Sequence, residues 1–184
     1  MLISHKLKLI FTHIPKTAGA SFRASLKRLD NKTEELGHYH SKLTRKIRQQ
    51  YPNYKTITIV RNSYKIVVSR YRFEQIVYQR KGKKLRRNFK QYITSKDLKI
   101  FNQLGYIFTK NGYKLVDYIL HQETLDLDVK ELNKKIGIKI PKLTKSAHNY
   151  GFYNYKDYYN KETLAIVKRK CAKDIAYFQW EYED

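Results

Sequence analysis

The feature that most constrains this chain is a short apolar run that turns sharply into a helix. Leu7-Lys8-Leu9-Ile10-Phe11 reads as a buried strand, and a tight turn containing Pro15 and Gly19 follows. Ser21-Phe22-Arg23-Ala24-Ser25-Leu26 then opens a helix. A strand that passes directly into a helix leaves backbone N–H groups unpaired at the helix start, aimed at one point and reinforced by the helix dipole. That is a site for an anion, and phosphate is its usual guest. Lys16 adds a positive charge, and Thr17 and Ser21 add hydroxyl donors. The same residues also suit an ordinary strand–loop–helix connection.

Further along, Thr56-Ile57-Thr58-Ile59-Val60 is β-branched throughout and predicts an interior parallel strand. Leu115 to Leu120 predicts a third strand. Helical spacing covers Ser21 to Leu29, Leu43 to Tyr51, Tyr64 to Gln79, Glu123 to Lys135 and Lys161 to Trp180. Cys171 falls on the apolar stripe of the last of these and reads as a core residue. Strands alternating with helices predict a three-layer α/β fold with a central parallel sheet flanked by helices. At 184 residues, with no repeat or linker composition, a single domain over 1–184 is expected.

The formal net charge is +23, from 39 Lys and Arg against 16 Asp and Glu. A bias of that size attracts polyanions, so a nucleic-acid or polyanion-binding protein without catalysis is the competing expectation. No recognisable nucleic-acid module accompanies the charge. The most basic stretch, Gln79 to Lys90, suits either an anionic acceptor or a solvated loop. One cysteine cannot form an internal disulfide, no apolar run approaches bilayer length, and Lys6 and Lys8 interrupt any signal-peptide core. The expectation is a soluble, cytoplasmic protein without a membrane span.

The strand at 56–60 indicates what kind of phosphate site this is. A Walker-type loop places Lys beside the helix-opening hydroxyl, and a second strand ends in an Asp that holds magnesium. Here Lys16 precedes Gly19 by three residues and the strand ends at Arg61. A cation in that place points to direct contact with an anion, and no His, Cys or carboxylate spacing suggests a metal. Ser69 falls about 9 Å along a helix that starts near Ser63, so Arg61 and Ser69 suit a second phosphate.

These residues resemble a known family. Ile14-Pro15-Lys16-Thr17-Ala18-Gly19-Ala20-Ser21-Phe22 is similar to the 5′-phosphosulfate loop of the carbohydrate (Golgi-type) sulfotransferases and their bacterial and viral relatives. Val60-Arg61-Asn62-Ser63-Tyr64-Lys65-Ile66-Val67-Val68-Ser69-Arg70-Tyr71-Arg72-Phe73 resembles their 3′-phosphate segment. Two departures stand out. Ser63 occupies a position where proline is usual, and Lys65-Ile66 replaces an acidic/Arg-containing pair, although neither change touches Arg61 or Ser69. A weaker likeness runs through Leu120 to Asp128 and Leu143-Thr144-Lys145-Ser146.

The resemblance implies a P-loop NTPase-like domain and sulfuryl transfer from 3′-phosphoadenosine 5′-phosphosulfate (PAPS), without a metal, to a hydroxyl or amine, most simply of a glycan. Donor contacts would come from Pro15, Lys16, Thr17, Ala18, Gly19, Ala20, Ser21, Phe22, Arg61, Ser69, Lys145 and Ser146. Lys16 would also act in catalysis, stabilising charge on the departing phosphate oxygen. The base would be His40, with His38 second and Glu123 as a carboxylate alternative. His13, at the strand end, reads as structural.

Overall fold

The computed structural model describes residues 1–37, 41–84, 87–95, 102–143 and 153–182. They form an α/β protein, in which β1 (Leu2–Ser4), β2 (Leu9–Thr12), α1 (Gly19–Leu29), β3 (Glu34–Glu35), α2 (Ser41–Gln50) and β4 (Lys55–Val60) come first. After them come α3 (Ser63–Arg80), α4 (Phe89–Thr94), α5 (Leu104–Ile107), β5 (Tyr118–His121) and α6 (Leu125–Ile136). A 3-10 turn (Tyr155–Tyr158), α7 (Lys161–Lys170) and α8 (Ala172–Phe178) complete the order. The chain groups into two compact units, Met1–Arg61 with Gln103–Ala147 and Asn62–Asn102 with His148–Asp184. No described helix is long and apolar enough to cross a membrane.

The first unit holds a five-stranded sheet in the order β3-β1-β2-β4-β5. Strands β2, β4 and β5 are parallel, as expected, but β1 runs antiparallel to both β2 and β3. The sheet is therefore mixed, which corrects the expectation of a purely parallel one. The cause is local. Residues 5–8 form a turn with Lys8 at φ 51°, and so short a connection can only return the chain antiparallel. Leu7 and Lys8 belong to that turn rather than to the strand, and Leu2-Ile3-Ser4 is too short to announce itself by periodicity.

Alternation along the strands feeds both faces. Leu2, Leu9, Phe11, Ile57, Ile59 and Leu120 pack with Phe22 and Leu26 of α1 and with Val129 and Leu132 of α6. Ile3 and Ile10 turn the other way, towards Ile47 of α2. The strand threonines are buried but satisfied: Thr58 Oγ1 donates to the Thr12 carbonyl at 2.8 Å, and Thr12 Oγ1 lies 3.5 Å from Thr44 Oγ1 of α2. At the amino ends of β4 and β5, Arg48 Nη1 donates to Thr56 Oγ1, the Leu115 carbonyl and Asp117 Oδ2 at 2.9–3.0 Å. Asp117 Oδ2 also accepts the Thr56 N–H at 2.7 Å.

The second unit is helical. Ser63, Tyr64, Ile66, Val67, Val68, Ser69 and Tyr71 are the buried part of α3. The tyrosine-rich segment, which has no period in the sequence, packs half-buried tyrosines against this face. Tyr159 stacks edge-on with Tyr64 and Tyr182, and its hydroxyl donates to the Tyr64 carbonyl at 2.9 Å. Burial pushes the Tyr159 phenol well above its ordinary pKa. The expected single helix over Lys161 to Trp180 is two helices that meet at Cys171. Cys171 is buried, as its place on the apolar stripe predicts, and burial pushes its thiol up to about 12.

Two tests follow from the first unit. Asp117→Ala leaves the Thr56 N–H without its carboxylate and Arg48 without its ion-pair partner, and urea unfolding should show a loss of about 1.5–3 kcal/mol. Glu35 of β3 pairs with Arg23 and Lys27 of α1, which hold its carboxyl near a pKa of about 2, against 4.5 for an unperturbed group. Its folded pKa is depressed, so its contribution is present above pH 4.5 and is lost as pH falls towards 2. Over that window, acid unfolding of Glu35→Gln should be shallower than that of the unaltered protein.

Candidate functional site

The parallel pairing of β2 with β4 places Thr12 beside Thr58, so the turn after β2 and the residue after β4 emerge at the same carboxyl edge of the sheet. In open α/β sheets that edge is where ligands bind. The turn has an unusual backbone. Lys16 (φ 71°) and Ala18 (φ 64°) are both left-handed, a conformation that costs a non-glycine residue about 1–2 kcal/mol. Two contacts hold it. Thr17 Oγ1 donates to the Ile14 carbonyl at 2.8 Å, and Arg61 Nη1 donates to the Lys16 carbonyl at 3.2 Å.

The loop glycine serves a different purpose from the one a turn suggests. Gly19 is the first residue of α1 and is not left-handed. A Cβ there would lie 2.1 Å from His13 Cδ2, so glycine is required because the buried His13 imidazole packs directly against the helix start. His13 also stacks on Phe11, with ring centroids 5.8 Å apart, in keeping with the structural role its position predicts.

Helix α1 begins two residues earlier than its sequence pattern indicates, because left-handed Ala18 starts it. No side chain caps this end and its first turn carries no acidic residue, whereas α4 and α7 both open with Asn capping boxes. The positive end of the α1 dipole is thus left without a compensating group from its own cap. Ser21 N–H is already bonded to the Ala18 carbonyl, and the Gly19 and Ala20 N–H groups precede the intrahelical ladder.

Arg61 is the second cation of this edge. Its backbone is clamped by Gln103, whose Oε1 accepts the Arg61 N–H at 3.0 Å while its Nε2 donates to the Arg61 carbonyl at 2.8 Å. Gln103 is 1% exposed and forty-two positions away, and nothing in the sequence marks it as a partner. The Arg61 Nε is buried with no hydrogen-bond partner among the described residues. A buried donor in that state is suited to an anion.

The remaining expected residues fall in several places. Pro15, Lys16 and Ala18 are half-buried, Ala20 is exposed, and Thr17 and Ser21 are buried. The Thr17 hydroxyl proton is committed to the loop itself. Phe22 is a core residue, 4.8 Å from Phe11 between ring centroids, and it anchors the helix that carries the loop. Ser69 is buried on α3, in the second unit. His38, His40, Lys145 and Ser146 lie outside the described residues. Glu123 is exposed, two residues beyond β5. Among the described residues, no group of three or more His, Cys, Asp and Glu is arranged to hold a metal.

The packing of His13 on Gly19 generates a stability test. Gly19→Ala should cost about 1–3 kcal/mol by overpacking, and His13→Ala should recover part of that loss in the double variant. The opposite exchange, Ala18→Gly, relieves left-handed strain and should stabilise by about 1 kcal/mol. Thermal unfolding of the unaltered protein and the four variants, His13→Ala included, measures each term. In comparison with known proteins, the chain matches no family model, no curated protein and no solved structure.

Proposed function

We propose that this protein is a sulfotransferase, built on a P-loop NTPase-like framework, that moves a sulfuryl group from PAPS to a hydroxyl or amine of an acceptor, with a carbohydrate hydroxyl the leading candidate. One observation carries the reading. Arg61 reaches the Lys16 carbonyl, so the two segments that resemble the 5′- and 3′-phosphate motifs meet at one edge of the sheet. An uncapped helix start alone would suit any phosphate. A second fixed cation, Arg61, whose own Nε has no partner among the described residues, suits a ligand with two separate phosphate groups.

In this reading the N–H groups at the start of α1 and the Ser21 hydroxyl hold the 5′-phosphate. Lys16 neutralises the charge that develops on the phosphate oxygen as sulfate leaves. Arg61 binds the 3′-phosphate, which separates PAPS from ordinary adenine nucleotides. Attack is in line, so positioning supplies much of the acceleration. The net charge of +23 favours a second reading, a polyanion-binding protein. Steeply salt-dependent affinity for RNA or DNA without any response to the donor would select it.

Calorimetry with 3′-phosphoadenosine 5′-phosphate (PAP) tests the first reading directly, and the absence of binding would sink it. Lys16→Ala should lower turnover of radiolabelled PAPS far more than PAP affinity. Arg61→Ala should mainly weaken PAP binding, by about tenfold to a hundredfold, as expected for loss of a charge-assisted contact worth about 1.5–3 kcal/mol. Equal effects of both variants on both quantities would contradict these roles.

A further inference from the structure

We infer that His121 is the general base that takes the acceptor's proton, with Asp128 as its positioning residue. The inference rests on the sulfotransferase reading above. His121 is the last residue of β5 and pairs with Val60, the neighbour of Arg61, so it emerges at the carboxyl edge that carries the loop. Strand β5 is two strand spacings from β2, about 10 Å, a span that two long side chains and a substrate can bridge.

The geometry selects the tautomer. His121 Nδ1 lies 3.1 Å from Asp128 Oδ2, and an ionised carboxylate can only accept, so Nδ1 carries the hydrogen and the lone pair resides on Nε2. Asp128 is itself fixed. Its Oδ2 accepts the His121 N–H at 2.6 Å, its Oδ1 accepts from Thr124 Oγ1 at 2.8 Å, and it lies in the first turn of α6, where the helix dipole favours a carboxylate. The His121 side chain is 42% exposed, open enough to meet a substrate. The other two described histidines do not fit the role. His13 is buried against Gly19, and His5 lies in the β1–β2 turn against Tyr51 and Tyr54, at the amino end of β2.

The step balances without a co-reactant. The acceptor O–H proton passes to Nε2 as the acceptor oxygen forms a bond to sulfur. The bond from sulfur to the bridging 5′-phosphate oxygen breaks, and its electron pair stays on that oxygen, beside Lys16. Asp128 stabilises the imidazolium that results.

The test measures PAP affinity by calorimetry, turnover of radiolabelled PAPS against a glycan panel across pH, and imidazole tautomers by 15N NMR. His121→Asn should lower turnover by about a hundredfold or more, with PAP affinity changed less than about twofold and the acidic limb of the pH–rate profile lost. Asp128→Asn should shift the His121 ring towards the Nε2–H tautomer and lower turnover less than His121→Asn. A purely structural staple would change thermal stability without moving the tautomer or the pH limb, and that result would overturn the assignment. So would loss of the acidic limb in His40→Asn but not in His121→Asn. So, too, would an unaltered protein that binds PAP yet transfers sulfuryl to no acceptor. Failure of the unaltered protein to bind PAP at all instead rejects the underlying sulfotransferase reading.

Discussion

Everything assigned to the site depends on the parallel register of β2 with β4. That pairing puts Thr12 level with Thr58, so a loop and an arginine forty-five positions apart emerge side by side. A slip of one residue would turn Ile10 and Phe11 to the wrong faces and separate the clusters they serve. Thr58 Oγ1 bonds the Thr12 carbonyl at the carboxyl end of β2, and on the other side of β4 the Arg48–Asp117 network ties its amino end to that of β5.

Given that register, the loop shows how a rigid frame sustains a strained segment. Two left-handed non-glycine residues persist because Thr17 bonds the Ile14 carbonyl before them and Arg61 bonds the Lys16 carbonyl between them. The strain leaves the Lys16 side chain in the turn, where a glycine would have been easier to accommodate but without charge. His13 and Gly19 then fix where α1 begins, and with it where the uncapped N–H groups gather. Arg61 is thus both a strut of the loop and a candidate ligand, so its removal acts on geometry and on charge together.

Sheet closure on the β5 side extends the same edge. Asp128 takes the His121 backbone N–H and side chain together, joining the end of β5 to the start of α6 by one carboxylate. The second unit is organised by different means, through edge-on tyrosines and Asn-capped helices. Its exposed basic segment includes residues with structural partners: Lys90 pairs with Glu162 at 2.7 Å, and Arg87 lies 3.8 Å from Glu74.

Local pattern was enough for the strand–turn–helix around Lys16, the β-branched strand that ends before Arg61, and the helices of each unit, because periodicity and turn chemistry are encoded by near neighbours. The same pattern left β1 invisible and ran α7 and α8 together, since three residues carry no period and the break at Cys171 does not interrupt the apolar stripe. The lysine and the arginine could be named from sequence as candidate anion-binding cations. The clamp of Gln103 on Arg61, the close packing of His13 on Gly19 and the His121–Asp128 pair could not be. The first two join residues whose proximity exists only once strands and helices have packed. The third joins residues close in sequence, yet its meaning depends on β5 lying beside β4. The sequence by itself determined which residues can carry charge and which stretches can be helical. Tertiary structure decided which of those residues share an edge, because strand order and register are set by long-range burial rather than by local propensity.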